Sequence, residues 1–256
     1  MKALLTRGNI ARAGRVARDW WCATRLMLRA VADRIPPEAL ATGELTPIIL
    51  LPGIWEPWRF LLPLARRLNQ LGHPVHPLPA LGWNGRSLEE SVGLVRCQLA
   101  AATGEGAVLV AHSKGGLIGK TLLAQAVVGA GESESGAGLL GMVALCSPFG
   151  GSSLSWRAFA RTPLGMFAPA GPVILALAAQ QAANERIVSI GAAWDEMIPE
   201  GTHLEGAHNI TLRHSGHFLP VDRADVAELV HAEVQRIAQE DLLNLHGSLG
   251  SEGVVR

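Results

Sequence analysis

The stretch Ala111-His112-Ser113-Lys114-Gly115-Gly116 presents a hydroxyl in a setting suited to nucleophilic attack. Ala111 stands two residues before Ser113 and Gly115 two after it, which is the G-x-S-x-G spacing with alanine in the first place. An apolar run, 107–111, precedes this turn and a helical pattern, 114–128, follows it. A turn this sharp between strand and helix strains the serine backbone and admits only small neighbours. It also lifts the hydroxyl above the C-terminal edge of a sheet. The N–H of Lys114 then points at the place where an oxyanion would develop.

A serine is a weak nucleophile without a base, and the base needs a carboxylate to orient it. Where this turn is used, the partners follow in the order serine, acid, histidine. The strand-like run 186–191 is followed by Asp195, the expected acid, with Glu196 as the competing carboxylate. Nine histidines make any one of them uninformative by type. His217 is singled out because it follows Gly216 in a loop between the last strand and the final helix. His208 and His214 flank or lie on that strand and read as structural or surface groups. His112 points away from its neighbour Ser113. Leu51-Pro52-Gly53-Ile54 closes the first apolar strand, and the Ile54 N–H is the second expected oxyanion donor beside Lys114.

The elements that must position these groups alternate. Short apolar runs at 46–52, 73–78, 107–111, 139–146, 186–191 and 208–213 read as strands. Helical spacing fills 57–71, 87–102, 114–128 and 221–239, with Ser87 and Glu90 as a capping box and Asp222 as the cap of the last helix. Strands alternating with helices predict an α/β fold, with a mostly parallel sheet of about six strands and helices on both faces. Residues 152–182 interrupt the alternation as a short helical cap, and 241–256 read as a loose tail. The main domain is thus expected over 46–240, after a helix and linker over 1–45.

The Leu-Pro-Gly-Ile turn, Ala-His-Ser-Lys-Gly-Gly, Cys146-Ser147-Pro148-Phe149-Gly150-Gly151-Ser152, the Asp195 loop and Gly216-His217 together resemble the α/β-hydrolase superfamily, in particular its small lipase- and esterase-like members. The resemblance covers about residues 46–238. It implies hydrolysis of a small-molecule or lipid ester through an acyl-enzyme, with thioester hydrolysis or acyl transfer as variants. A non-catalytic binding protein on the same scaffold is the reading from another class. The two opening strands of larger members are not visible, and a basic helix stands in their place.

Composition narrows the rest. Of 256 residues, 48% are hydrophobic and 17% charged, which excludes a disordered chain. Lys plus Arg and Asp plus Glu both number 22, so the molecule as a whole exerts no pull on nucleic acid. No zinc, P-loop or dinucleotide motif appears, so neither metal nor organic cofactor is expected. Cys22, Cys97 and Cys146 read as three buried thiols in a reducing compartment, which fits a cytoplasmic protein. In the cap, Leu154, Trp156, Phe159, Leu164, Met166 and Phe167 suit an apolar acid moiety or simple packing. Trp55, Trp83, Trp156 and Phe167 are the expected substrate contacts.

Residues 1–35 carry eight basic and two acidic residues, +6, which leaves −6 for the remainder. Charges interrupt every apolar run there, so no secretory signal is expected. Residues 12–35 have helical spacing. Val16, Trp20, Met27 and Val31 share a side, Trp21, Leu28 and Ile35 flank it, and Arg15, Arg18, Arg25 and Arg29 lie opposite. Such a helix either packs on the domain with a solvated arginine face or makes peripheral contact with anionic lipid or a partner. No residue of the expected triad or oxyanion hole lies in 1–35, so this stretch is expected to be dispensable for the chemistry.

Overall fold

The computed structural model describes residues 7–102, 106–129, 138–154 and 162–251. Six strands, β1 (Ile48–Leu51), β2 (Val75–Pro77), β3 (Ala107–His112), β4 (Leu139–Leu145), β5 (Ile187–Gly191) and β6 (His208–Thr211), form one sheet. Its order is β2-β1-β3-β4-β5-β6 and every neighbouring pair is parallel. All six fall on the apolar runs of the sequence. The inner strands are predominantly apolar because a parallel sheet is covered on both faces. The edge strand β6 is the exception, being largely exposed.

Successive side chains of each strand enter two separate cores. Ile48, Leu50, Val108, Val110, Val143, Leu145, Val188 and Ile190 face one side, with α1 (Arg7–Ala32), α2 (Leu62–Gln70) and the final helix α6 (Ala224–Ser251). Ile49, Leu51, Leu109, Ala111, Met142 and Ala144 face the other, with α3 (Leu88–Ala102), α4 (Lys114–Gly129) and α5 (Pro172–Ala179). The period of two along each strand thus builds a three-layer molecule. α3 opens as expected: Ser87 Oγ accepts from the Glu90 N–H, and the Glu90 carboxylate accepts from the Ser87 N–H at 3.0 Å. Strand order reverses between β1 and β3, the neighbours whose helices leave on opposite faces. A crevice therefore opens at their C-terminal ends, where ligands bind in sheets of this kind.

The N-terminal helix departs from the expected orientation. Its buried stripe is Asp19, Cys22, Leu26 and Ala30, whereas Trp20 and Val31 are 48% and 59% exposed. α1 packs against the 3-10 turns Trp58–Leu61 and Leu219–Asp222. Apolar periodicity alone chose the wrong face, because the stripe that packs contains an aspartate and a cysteine. The arginines are partly used inside the molecule. Arg25 and Arg29 pair with Asp222, and Arg12 and Arg15 lie over the Trp194 ring. Asp222 is therefore an ion-pair partner and not the cap of α6. α6 also runs to Ser251, past the boundary at 240, where the Gly/Ser content predicts a tail. Cys97 is exposed, against the expectation of three buried thiols.

This orientation is testable on α1 itself. Leu26→Ala removes a side chain with 0% exposure and should destabilise the protein by about 2–5 kcal/mol. Val31→Ala should change stability by no more than about 0.5 kcal/mol. Urea denaturation of both variants reads the difference. The reverse ranking would restore the face that periodicity picks.

Candidate active site

Ser113 sits between β3 and α4 with φ +52°, in the left-handed region that non-glycine residues seldom occupy. The sequence around it shows how that backbone is tolerated. A Cβ at Gly115 would lie 2.3 Å from the Leu51 carbonyl oxygen, and one at Gly116 would lie 2.1 Å from Ser147 Oγ. Only glycine lets α4 start this close to β1 and to the loop after β4. The Ser113 N–H donates to the Leu145 carbonyl at 2.9 Å, which pins the turn to β4. Lys114 is the first residue of α4, so its N–H has no acceptor within the helix and belongs to the positive end of the helix dipole.

His217 and Asp195 meet. The His217 Nδ1–H donates to Asp195 Oδ2 at 2.8 Å, with both side chains almost fully buried. This bond fixes the tautomer, leaving Nε2 as the lone-pair nitrogen. Burial alone would raise the Asp195 pKa. The facing imidazole, with the Met197 and Ile198 N–H groups on Oδ1, outweighs it and holds the carboxyl below its ordinary value. The competing Glu196 is placed differently. Burial and the nearby Asp19 carboxylate push it up to about 7. Cys146 lies beside the pair, with its sulfur and the ligand atoms of Asp195 and His217 within 4.8 Å of one another. Burial and Asp195 raise the thiol well above its usual range, which keeps it protonated and makes it a poor ligand for a cation.

Ser113 and His217 line one cavity of about 440 Å³, predominantly apolar in its walls. Ile54 and Trp55 enter it from the loop after β1, Phe167 from the cap, and Trp20, Met27 and Leu28 from α1. Of the expected contacts, Trp55 and Phe167 line this cavity. Trp83 is 54% exposed and does not line this cavity, and Trp156 lies outside the described residues. The described part of the cap divides its work. Leu164 and Phe167 reach the cavity, while Ile174 and Leu177 are buried against the sheet cluster. The wall from α1 was not foreseen. Residues 1–35, read from the sequence as holding no residue of the triad or oxyanion hole, thus supply part of the cavity wall.

Two buried polar groups brace the loops around Ser113. His112, the residue before the serine, is fully buried, and its two ring nitrogens face Glu56 Oε2 at 2.9 Å and the His217 carbonyl at 3.1 Å. Both partners present acceptor oxygens, an arrangement that favours the protonated ring. Burial opposes that charge, but the Glu56 carboxylate and the His217 carbonyl outweigh it and raise the pKa. Glu56 Oε2 also accepts from the Gly53 N–H at 2.7 Å, at the foot of Ile54. The His112–Glu56 pair therefore ties the loop after β1 to the loop carrying His217. The Lys114 side chain supplies the second brace. Its ammonium has 0% exposure and reaches Asn84 O, Asn84 Oδ1, Arg86 O and Ser91 Oγ at 2.7–3.1 Å. Burial lowers its pKa to about 8. Asn84 in turn donates to Pro52 O at 2.8 Å. The signal for these groups in the sequence was faint: an acid three residues after Gly53 and a polar residue on each side of Ser113.

Comparison with known proteins agrees with this architecture. No family model and no curated protein matches the chain. Solved structures do. One structure from the metagenome-derived lipolytic enzymes LipS and LipT gives a match with TM-score 0.54 at 13% identity, over 79% of this chain and 100% of the other. The mature Bacillus licheniformis lipase BlEst2 gives TM-score 0.54 at 12% identity, over 74% and 91%, and its propeptide form is spanned for 49% of its length. A monoacylglycerol lipase from Paleococcus ferrophilus gives TM-score 0.51 at 16% identity, over 78% and 96%. Likeness at such low identity speaks to the path of the chain. Together with the six-stranded parallel sheet, it shows that this protein has the α/β-hydrolase fold.

Proposed function

We propose that the protein is a serine hydrolase of carboxylic esters that works through an acyl-enzyme on Ser113. The observation that carries this reading is the placement of Ser113, at φ +52° on its turn, in the same apolar cavity as a His217 oriented by Asp195. In the first half-reaction Ser113 Oγ attacks the acyl carbonyl as its proton passes to His217 Nε2. The Ile54 and Lys114 N–H groups donate to the oxyanion, and each such donor contributes about 3 kcal/mol. Collapse breaks the ester C–O bond, and the alcohol leaves with the proton from His217. Water then repeats the sequence, its proton going to His217, and the carboxylic acid departs. Asp195 holds the imidazole throughout. Trp20, Met27, Leu28 and Phe167 offer the acyl chain an apolar wall. A thioesterase or acyltransferase would use the same groups.

The site of action we infer is a lipid surface, reached through α1. Its outer stripe carries Ile10, Trp21, Leu28 and Val31, each more than half exposed. Leu28 and the half-exposed Trp20 also line the cavity, so the stripe runs up to the cavity mouth. Because Arg25 and Arg29 are engaged with Asp222, apolar insertion carries more of this contact than the arginine face does. Among the described residues no helix is long and apolar enough to cross a membrane, so the contact is peripheral.

Ser113 should take up one equivalent of a phosphonate or sulfonyl fluoride probe, located by mass spectrometry; a label on Ser147 or Ser152 instead would refute the assignment. His217→Ala should lower kcat/KM for a p-nitrophenyl acyl ester by roughly ten-thousand-fold or more. Asp195→Asn should cost the same or somewhat less, and Glu196→Gln little. A larger loss from Glu196→Gln would overturn the choice of acid. The rate should also fall towards pH 5, since the base must be neutral to accept the serine proton, and a flat profile from pH 5 to 8 speaks against a histidine base. The protein should co-sediment with anionic phospholipid vesicles at low salt, and Trp21→Ser with Leu28→Ser should reduce the bound fraction several-fold. Absence of binding at low salt would rule out the lipid surface.

A further inference from the structure

We propose that Asp19, on α1, is the positioning residue for His217, and that the N-terminal helix is therefore part of the catalytic apparatus. This rests on the esterase reading of Ser113 and His217 and names a group that completes it. The Asp19 carboxylate is 1% exposed and sits beneath the loop that carries the base. Oδ2 accepts from the His217 N–H at 2.8 Å, and Oδ1 from the Leu219 N–H at 2.7 Å. The Phe218 N–H lies between the two oxygens, at 3.1 and 3.2 Å. Three successive amides thus converge on one carboxylate, as they do around bound anions, and charge-assisted bonds of this kind are the strong ones.

The chain is shaped to admit that carboxylate. Gly216 has φ +113°, and a Cβ on it would lie 2.2 Å from Asp19 Oδ1. The Gly-His pair that marks the base in the sequence is therefore glycine because a carboxylate from α1 occupies the space a side chain would need. Side-chain packing runs in parallel. Trp20 meets the Phe218 ring edge-on at 5.7 Å, and Phe218 meets the His217 ring at 4.8 Å. Asp195 controls the rotation of the imidazole through Nδ1, and His112 holds the His217 carbonyl. Asp19 fixes the peptide from which the ring hangs. Without it the buried His217 N–H and the part-buried Phe218 and Leu219 N–H groups lose their acceptor, and the backbone must move to find water. A displacement of about 1 Å at a catalytic group can cost 100-fold in rate.

The test compares the full-length protein with Asp19→Ala, Asp19→Asn and Ser113→Ala. Turnover is expressed per site titrated with phosphonate, so that unfolded molecules do not count. Asp19→Ala should lower kcat by about 10- to 100-fold while KM stays within twofold. Asp19→Asn keeps one accepting oxygen and should recover part of the loss. Hydrogen exchange of the His217, Phe218 and Leu219 amides should quicken in both variants, whatever the substrate proves to be. Unchanged kcat per titrated site in a folded variant would overturn the proposal, as would a change in KM alone. Should Asp19→Ala fail to fold, Asp19→Asn decides by the same readings. If wild type and Ser113→Ala hydrolyse the ester equally, it is the esterase reading that fails, and the exchange data still judge the clasp.

Discussion

A serine held in the left-handed backbone region is the constraint around which the rest is arranged. At φ +52° Ser113 stores strain of about 1–3 kcal/mol that must be over-determined by its surroundings. The Leu145 carbonyl holds its amide, and Gly115 and Gly116 let α4 press against β1 and the Ser147 loop. The strain thereby becomes placement. The hydroxyl stands over the switch point of the sheet, and the first free N–H of α4 stands beside it.

Around that point the molecule uses buried charge as fastening. His112 with Glu56, Lys114 with the Asn84 loop, and Asp19 with the His217 loop each join segments far apart in sequence. Such groups are costly to bury, and none is a bargain against a well-packed apolar core. Their geometry is directional, however, where apolar packing is not. Each ties down a loop at the C-terminal edge of the sheet, the part of the fold with no regular hydrogen bonding of its own. The cavity walls are apolar and the fastenings behind them are ionic.

The inner strands were legible because a sheet covered on both faces demands apolar runs; the edge strands β2 and β6 carried histidine and other polar residues and were marked more by their place in the alternation. The Ser113 turn was legible because its steric demands are local. Asp195 and His217 could be placed because each follows a strand directly. Asp19 was not legible. On the sequence it is one acid among arginines, and the amides that satisfy it lie 198–200 residues away. The same distance hid the face of α1, since its packing stripe mixes Asp19 and Cys22 with Leu26 and Ala30. Trp83 misled for the opposite reason. A tryptophan at a loop tip reads as a contact, while the working residue of that loop is its neighbour Asn84.

The span between Asp19 and its partners also sets an order of events at birth. At 5–20 residues per second, about 10–40 s of synthesis separate the emergence of α1 from that of Leu219. For that interval Cys22, Leu26 and Ala30 lack the Leu219–Asp222 turn among their partners, and the Asp19 carboxylate lacks its three amides. Closing so long a loop brings little reward until the last strand and the turn after it exist. The nascent chain thus carries an amphipathic helix with an unfilled acceptor while the next 200 residues are added, and the His217 loop reaches its final place only when it meets α1.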